Sequence, residues 1–263
     1  MLGEHFDTLV IILSTGRTGT AALADYFDRA YPQVRALHEP KPSRCLRIAS
    51  NRHFCGQLSS ADMQHRLLAS RRHLLASITE PIYIESNSYL HGFLDVFDRL
   101  FKNIKIVHVV RDPRTYIRSG INFGTLRGLK WLASNLIPYW NVKPRWHQEK
   151  LVRSWADLNE VEWLAWYWTS LNERLDRGRQ HYGSNYIRLR FEDLFATNGT
   201  TLQSLANWIG LPDEPELTQA IARGKVNASR RTDFPEWPAW LPELQEAVIK
   251  QCGTLARTYG YDL

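Results

Sequence analysis

The 263-residue chain is poor in several features that would settle its class at once. It has three cysteines, Cys45, Cys55 and Cys252, an odd and low count with no Cys-x-x-Cys spacing. That argues against a disulfide scaffold or a zinc site and fits a reducing compartment, with a Cys45–Cys55 bridge as the one pairing left open. The longest early apolar run, Leu9–Leu13, is too short to span a bilayer and lacks a basic flank or cleavage site, so the chain reads as cytoplasmic, without stable membrane insertion. In that setting the Asn-x-Ser/Thr patterns at Asn198 and Asn227 carry no glycosylation meaning. Internal repeats, low-complexity tracts and a lysine-rich tail are also missing. The hydrophobic content of 44% and charged content of 23% are those of an ordinary globular protein.

The net charge of +6 points to an anionic partner: nucleic acid, a membrane surface or a phosphorylated small molecule, beside the plainer reading of a basic surface. Buried strands are expected at Thr8–Leu13, Ile82–Glu85, Ile104–Val110 and Tyr186–Leu189. Helical spacing follows the first strand (Leu23, Tyr26, Phe27, Ala30) and recurs at Leu164–Leu175 and Leu202–Ile209. Gly210 would end the third helix, and Pro242 would open a fourth. Strands alternating with helices predict an α/β fold around a mainly parallel sheet, in a single domain over residues 1–263. Residues about 124–158, rich in Trp, Pro and Arg, break the pattern and read as an insertion over the sheet edge. At the carboxyl ends of the strands it would form a lid or an acceptor wall.

The stretch LVIILSTGRTGTAAL, Leu9–Leu23, is a strand, a loop of small residues and a helix start, without the Gly-Lys-Ser/Thr ending of a nucleotide triphosphatase. Gly16 and Gly19 let the backbone turn tightly. The amides of Gly19, Thr20 and Ala21 would open the helix towards an anion, with Arg17 adding fixed charge and Thr18 and Thr20 hydroxyls. A structural turn is the alternative. In IVHVVRDPRTYIRSG a strand ends in Arg111, a helix opens at Asp112-Pro113, and Ser119 follows Arg111 by eight residues, so both could hold one phosphate. Alternatively, Arg111 pairs with Asp112 or Asp95.

Together these segments resemble the sulfotransferases that use 3′-phosphoadenosine-5′-phosphosulfate (PAPS), closer to the carbohydrate and tyrosyl types than to the cytosolic small-molecule type. GRTGTA matches the family's 5′-phosphosulfate motif at Arg17, Gly19 and Thr20, and conservatively at Thr18. It departs at Gly16 and Ala21. Arg111 and Ser119 match the spacing of the 3′-phosphate motif. RLRFEDL (Arg188–Leu194) and LARTYGY (Leu255–Tyr261) are similar to later family segments. RGKVNASR (Arg223–Arg230) is similar to its basic loop over the 3′-phosphate, which implies Lys225, Asn227, Ser229 and Arg230 as further donor contacts.

The resemblance implies a P-loop-like fold, PAPS as donor, no metal, no nucleic-acid partner and a hydroxyl acceptor, with a carbohydrate or glycoconjugate favoured. It gives Arg17 the role of neutralising the leaving bisphosphate and makes Glu39, in ALHEPKPSR, the expected base. His38 is the alternative base, and a salt bridge from Glu39 to Lys41 or Arg44 is the structural alternative. Glu85, Ser86, Asn87 and Ser88 are expected to face the same cleft. There Asn87 or Ser88 would bond the sulfo group or cap a helix. His91 and His108, and the helical Trp163, Trp166 and Trp168, read as structural, whereas Trp131, Trp140, Trp146 and Trp155 suggest an acceptor site. An atypical P-loop kinase and a non-catalytic nucleotide- or polyanion-binding protein are the rival readings, and the oligomeric state is not legible.

Overall fold

The computed structural model describes residues 5–142, 158–194, 196, 199–214 and 233–263. Five parallel strands form one sheet in the order β2-β3-β1-β4-β5: β1 Thr8–Ser14, β2 Val34–His38, β3 Ile82–Ser86, β4 Ile104–Val110 and β5 Tyr186–Arg190. Strand β1 is central, and side chains alternate across it as the pleat requires. Leu9, Ile11 and Leu13 pack on one face against α3 (Ser60–Ser77), the Ser88–Phe101 turns and α6 (Glu160–Tyr182). Val10 and Ile12 pack on the other against α1 (Thr20–Ala30), α7 (Phe191–Leu194) and α8 (Thr200–Ile209). Helices α4 (Pro113–Asn122) and α9 (Pro242–Thr258) join α6 in a third cluster holding Trp163 and Trp168.

The four expected strands are present, and Gly210, at φ 104°, ends α8 as expected. Residues 34–77 hold structure that the apolar pattern does not announce. Edge strand β2 buries only alternate residues, so VRALH shows no apolar run. Helix α2 (Ser43–Phe54) carries several cations along its exposed face. Helix α3 does carry a start signal, the capping box between Ser59 and Asp62. Within the described part of the stretch read as irregular lies one short helix, α5 (Gly128–Leu136), and Trp140 follows it in a turn. Trp146, Trp155 and the side chain of Trp131 lie outside the described residues.

None of Cys45, Cys55 and Cys252 is in a disulfide among the described residues. Cys45 and Cys55 lie ten residues apart along α2 and its cap, about 15 Å at helical rise, so that pairing is excluded. His108 is buried between Tyr186 and Asn172, and His91 bonds Asn51, both as structural histidines. No described helix is long and apolar enough to cross a membrane.

Asp176 of α6 ties the sheet edge to α9. It accepts from Arg188 at 2.9 Å and Tyr259 at 2.6 Å and faces His108 at 3.5 Å. Burial opposes its charge, but hydrogen bonds from His108, Tyr259 and Arg188 outweigh it and hold the carboxyl at about 2, below the ordinary 3.8. A depressed carboxyl contributes stability above its unfolded pKa and loses it as pH falls through the folded one. Chemical denaturation should therefore show wild-type stability falling between about pH 4 and pH 2, and Asp176→Asn should be less stable at pH 7 with a flatter acid limb. Parallel acid limbs would show that this carboxylate contributes nothing.

Candidate active site

The order of strands places the loops after β1 and β4 side by side where the chain switches direction across the sheet, the usual ligand crevice of open parallel sheets. After β1 the backbone takes three left-handed residues, Gly16 (φ 81°), Arg17 (φ 57°) and Gly19 (φ 68°). Gly19 is also the N-cap of α1 and provides no side-chain cap, so the helix's first amides face the loop. Ser14 Oγ accepts from the Gly16 amide at 3.0 Å and fixes the entry to the turn. Thr18 is 1% exposed, and its buried hydroxyl has no hydrogen-bond partner among the described residues. A buried orphan hydroxyl is costly unless a ligand satisfies it.

Arg17, Arg111 and Ser119 come together here. Arg17 Nε donates to Ser119 Oγ at 3.3 Å, and its guanidinium lies 4.1 Å from the centre of the Phe123 ring. Arg111 donates to the Arg17 carbonyl at 2.5 Å and to Thr115 Oγ1 at 3.0 Å, and lies over Phe191 at 4.5 Å. Ser119 thus bonds Arg17 rather than its expected companion Arg111. Asp112 is taken by Arg114 at 2.6 Å, and Asp95 faces His53 and Arg174, so neither carboxylate is the partner of Arg111. Glu192 is held by the Asp112 amide and the Tyr261 hydroxyl. Burial lowers both guanidinium pKa values. Tyr116 partly offsets this at Arg17, and Glu192 does so at Arg111, where the nearby Arg17 charge lowers it further. Trp168 anchors this corner by donating to the Arg111 carbonyl at 2.9 Å.

Two half-buried cations, a helix N-terminus and an orphan hydroxyl fit a polyphosphate or phosphosulfate end of a ligand. Phe123, Thr115 and Phe191 are contacts that the sequence reading missed. The last sits inside RFEDL, and only the strand order, which sets β5 beside β4, brings it against Arg111. Lys225, Asn227, Ser229 and Arg230 lie outside the described residues. Among the described residues no group of His, Cys, Asp and Glu could hold a metal ion.

Across β1, the ends of β2 and β3 form the other half of the cleft. Glu39 follows β2 with φ 45°, its amide donating to the Ser86 carbonyl at 2.9 Å. Its carboxylate accepts from Ser88 Oγ at 3.2 Å, and none of the described ion pairs joins it to Lys41 or Arg44. His38 is exposed and meets Ser86 Oγ at 3.2 Å, a hydroxyl that donates to the Thr20 carbonyl. The expectation for the strand end is corrected at Glu85. It points into the core and pairs with Arg71, because strand alternation turns it away from the face of Ser86. Asn87 caps the turn that follows, accepting from the Tyr89 amide. Beyond Ser88, Tyr89 and Trp140 flank the Arg47 guanidinium at 5.1 and 4.7 Å.

Calorimetric titration with 3′,5′-adenosine bisphosphate should show Arg17→Ala and Arg111→Ala each weakening binding by roughly 10- to 100-fold, the scale of a hydrogen bond to a charged group. The ligand-free melting temperature should change little. Unaltered affinity in both variants would remove the loop between β1 and β4 as the anion site.

The sulfotransferase domain model matches residues 7–233. Among curated protein sequences nothing matches. The fold is similar to the sulfotransferase domain of the Synechococcus PCC 7002 olefin synthase, at 17% identity over 98% of this chain and 96% of that one, TM-score 0.56. It is also similar to a sulfotransferase from Alicyclobacillus acidocaldarius, at 14% identity over 97% and 96%, TM-score 0.54. A third is mouse sulfotransferase SULT7A1 complexed with PAP, at 13% identity over 98% and 91%, TM-score 0.53. A family model spanning most of the chain, on a sheet whose β1 loop and β4 end converge as described, shows that the chain belongs to the sulfotransferase family and is a sulfo-transferring enzyme.

Proposed function

We propose that the enzyme transfers a sulfo group from PAPS to the hydroxyl of a saccharide-containing acceptor. The observation that carries the donor half is the pair Arg17 and Arg111, close together and half-buried beside the open N-terminus of α1, with no carboxylate from Asp112 or Asp95 to neutralise them. Mouse SULT7A1, which shares the fold, is a complex with PAP, the desulfated donor. Binding would exchange the Arg17–Ser119 and Arg111–Arg17 bonds for bonds to donor oxygens, the β1 loop taking the 5′ end and Arg111 with Ser119 the 3′-phosphate. Lys225, Asn227, Ser229 and Arg230 are proposed to complete the 3′ side. Loop amides from Gly16 to Ala21 and the Thr18 and Thr20 hydroxyls complete the other.

For the reaction, the acceptor oxygen attacks sulfur in line, the bond from sulfur to the bridging phosphate oxygen breaks, and the acceptor proton passes to the Glu39 carboxylate. The products are a sulfate ester and the bisphosphate, whose added charge Arg17 stabilises. Glu39 stands two strands from β1, about 10 Å at ordinary strand spacing, which leaves room for a sulfo group and a hydroxyl between them. It is preferred to His38 because Ser88 orients its carboxylate, whereas the ring of His38 is engaged by Ser86. Tyr89 and Trp140 supply aromatic faces for a sugar ring, and residues 124–158 are proposed as the acceptor-side lid of a single domain. An exposed free thiol at Cys45 favours a cytoplasmic setting.

The kinase alternative is disfavoured at Asp112, which caps α4 and pairs with Arg114 instead of standing free for a magnesium ion. Thermal denaturation should show a larger rise in melting temperature with 3′,5′-adenosine bisphosphate than with ATP–Mg²⁺ at equal concentration. The reverse preference would overturn the donor assignment. In an acceptor screen with labelled PAPS, Glu39→Gln should lose at least about 100-fold in turnover while keeping bisphosphate affinity. Retained turnover would reject Glu39 as base, and full binding without turnover of any acceptor would favour the non-catalytic reading.

A further inference from the structure

Glu39 is a side-chain-bearing residue held in the left-handed region at φ 45°, a conformation that persists only where its surroundings over-determine it. What holds it lies under the cleft. Arg71 of α3 and Glu85 of β3 are 1% and 2% exposed and form a two-pronged ion pair, Nε to Oε2 at 2.9 Å and Nη2 to Oε1 at 2.7 Å. Apolar residues including Leu67, Leu75 and Phe97 surround the pair. Tyr83 Oη donates to Glu85 Oε2 at 3.1 Å, Asn87 Nδ2 donates to Glu85 Oε1 at 2.8 Å, and the Tyr83 hydroxyl pKa is pushed well up by burial and by the Glu85 charge.

The pair reaches the cleft through one hydroxyl. Ser43 Oγ accepts from Arg71 Nη2 at 3.3 Å and from Asn87 Nδ2 at 3.0 Å, and donates to the Pro40 carbonyl at 2.5 Å. Its donor and both lone pairs are therefore used. Pro40 is the residue after Glu39. Asn87 in turn receives the Tyr89 amide at 3.0 Å and donates its own amide to the Ile12 carbonyl at 3.0 Å, which fixes the turn carrying Ser88. The same buried cluster thus grips the chain beside Glu39 and the chain beside the hydroxyl that orients Glu39. Buried ion pairs add little stability over apolar residues of the same shape, so a fully satisfied one placed here is better explained by the geometry it imposes.

We propose that Arg71, Glu85 and Ser43 are positioning residues. The buried Arg71–Glu85 pair, acting through Ser43 and Asn87, holds Glu39 and Ser88 in register for proton removal from the acceptor. This rests on the reading of Glu39 as base.

The test compares Ser43→Ala, which cuts the tie and leaves the ion pair, with the double variant Arg71→Gln/Glu85→Gln, which removes both charges and keeps the shape. Two readouts are taken on each folded protein: backbone amide exchange at Glu39, and turnover with an acceptor found in the screen. Exchange at the Glu39 amide should quicken by roughly tenfold or more. The value of kcat should fall by about tenfold or more, the scale of small misplacements of a reacting group, with little change in acceptor KM and unchanged affinity for 3′,5′-adenosine bisphosphate. Unchanged exchange and unchanged kcat in either folded variant would overturn the proposal. Turnover retained in Glu39→Gln would instead overturn the base assignment, and the exchange measurement would still report whether the cluster holds the turn.

Discussion

The cleft depends on positive charge, on Arg17 and Arg111, that no carboxylate among the described residues pairs with directly. Arg17 and Arg111 are drawn together by a bond between the Arg111 guanidinium and the Arg17 carbonyl, and burial disfavours the charge of both. The neighbouring carboxylates are spent elsewhere: Asp112 on Arg114 and the start of α4, Glu192 on Tyr261 and the Asp112 amide. Add the open amides at the start of α1 and the unpartnered Thr18 hydroxyl, and the free energy of this corner is lowered most by an anion with several oxygens. Phe123 and Phe191 shield the guanidinium faces, which leaves their edges for hydrogen bonds.

The second half of the cleft is built on different physics. Strand alternation at the end of β3 sends Glu85 to the face covered by α3 and Ser86 to the face of α1, where it donates to the Thr20 carbonyl, and Asn87 and Ser88 lie in the turn beyond. The Glu85 carboxylate meets Arg71 and anchors the layer beneath. The turn above presents Ser88 to Glu39. One short segment, Glu85–Ser88, therefore links a rigid polar core to a reactive surface. Its central position beside β1 sets the distance across which donor and acceptor must meet.

Much was legible in the residues themselves. Continuous apolar runs identify β1, β3 and β4, because a parallel sheet covered on both faces buries nearly every residue of its inner strands, whereas edge strand β5 buries only Tyr186 and shows itself by the alternation of Ile187 and Leu189 with arginines. The glycines at 16 and 19 mark the turn, and Pro113 marks the start of α4. Edge strand β2 left no such run, since half of VRALH faces outward, and α2 hid its apolar side among arginines. Glu85 was misassigned to the cleft because sequence position gives the end of a strand but not which way its last residues point.

By itself the sequence determined the strand–loop–helix units, the α/β class and the family, since these follow from local periodicity, turn residues and fixed spacings. Only the tertiary structure decided which side chains share a space. The Arg17–Ser119 contact joins residues 102 positions apart, and the Arg71–Glu85 pair joins a helix to a strand across a turn that no periodicity describes. Contacts of that kind depend on strand order and on the hand of each crossover, and those are set by the packing of the whole sheet against its helices.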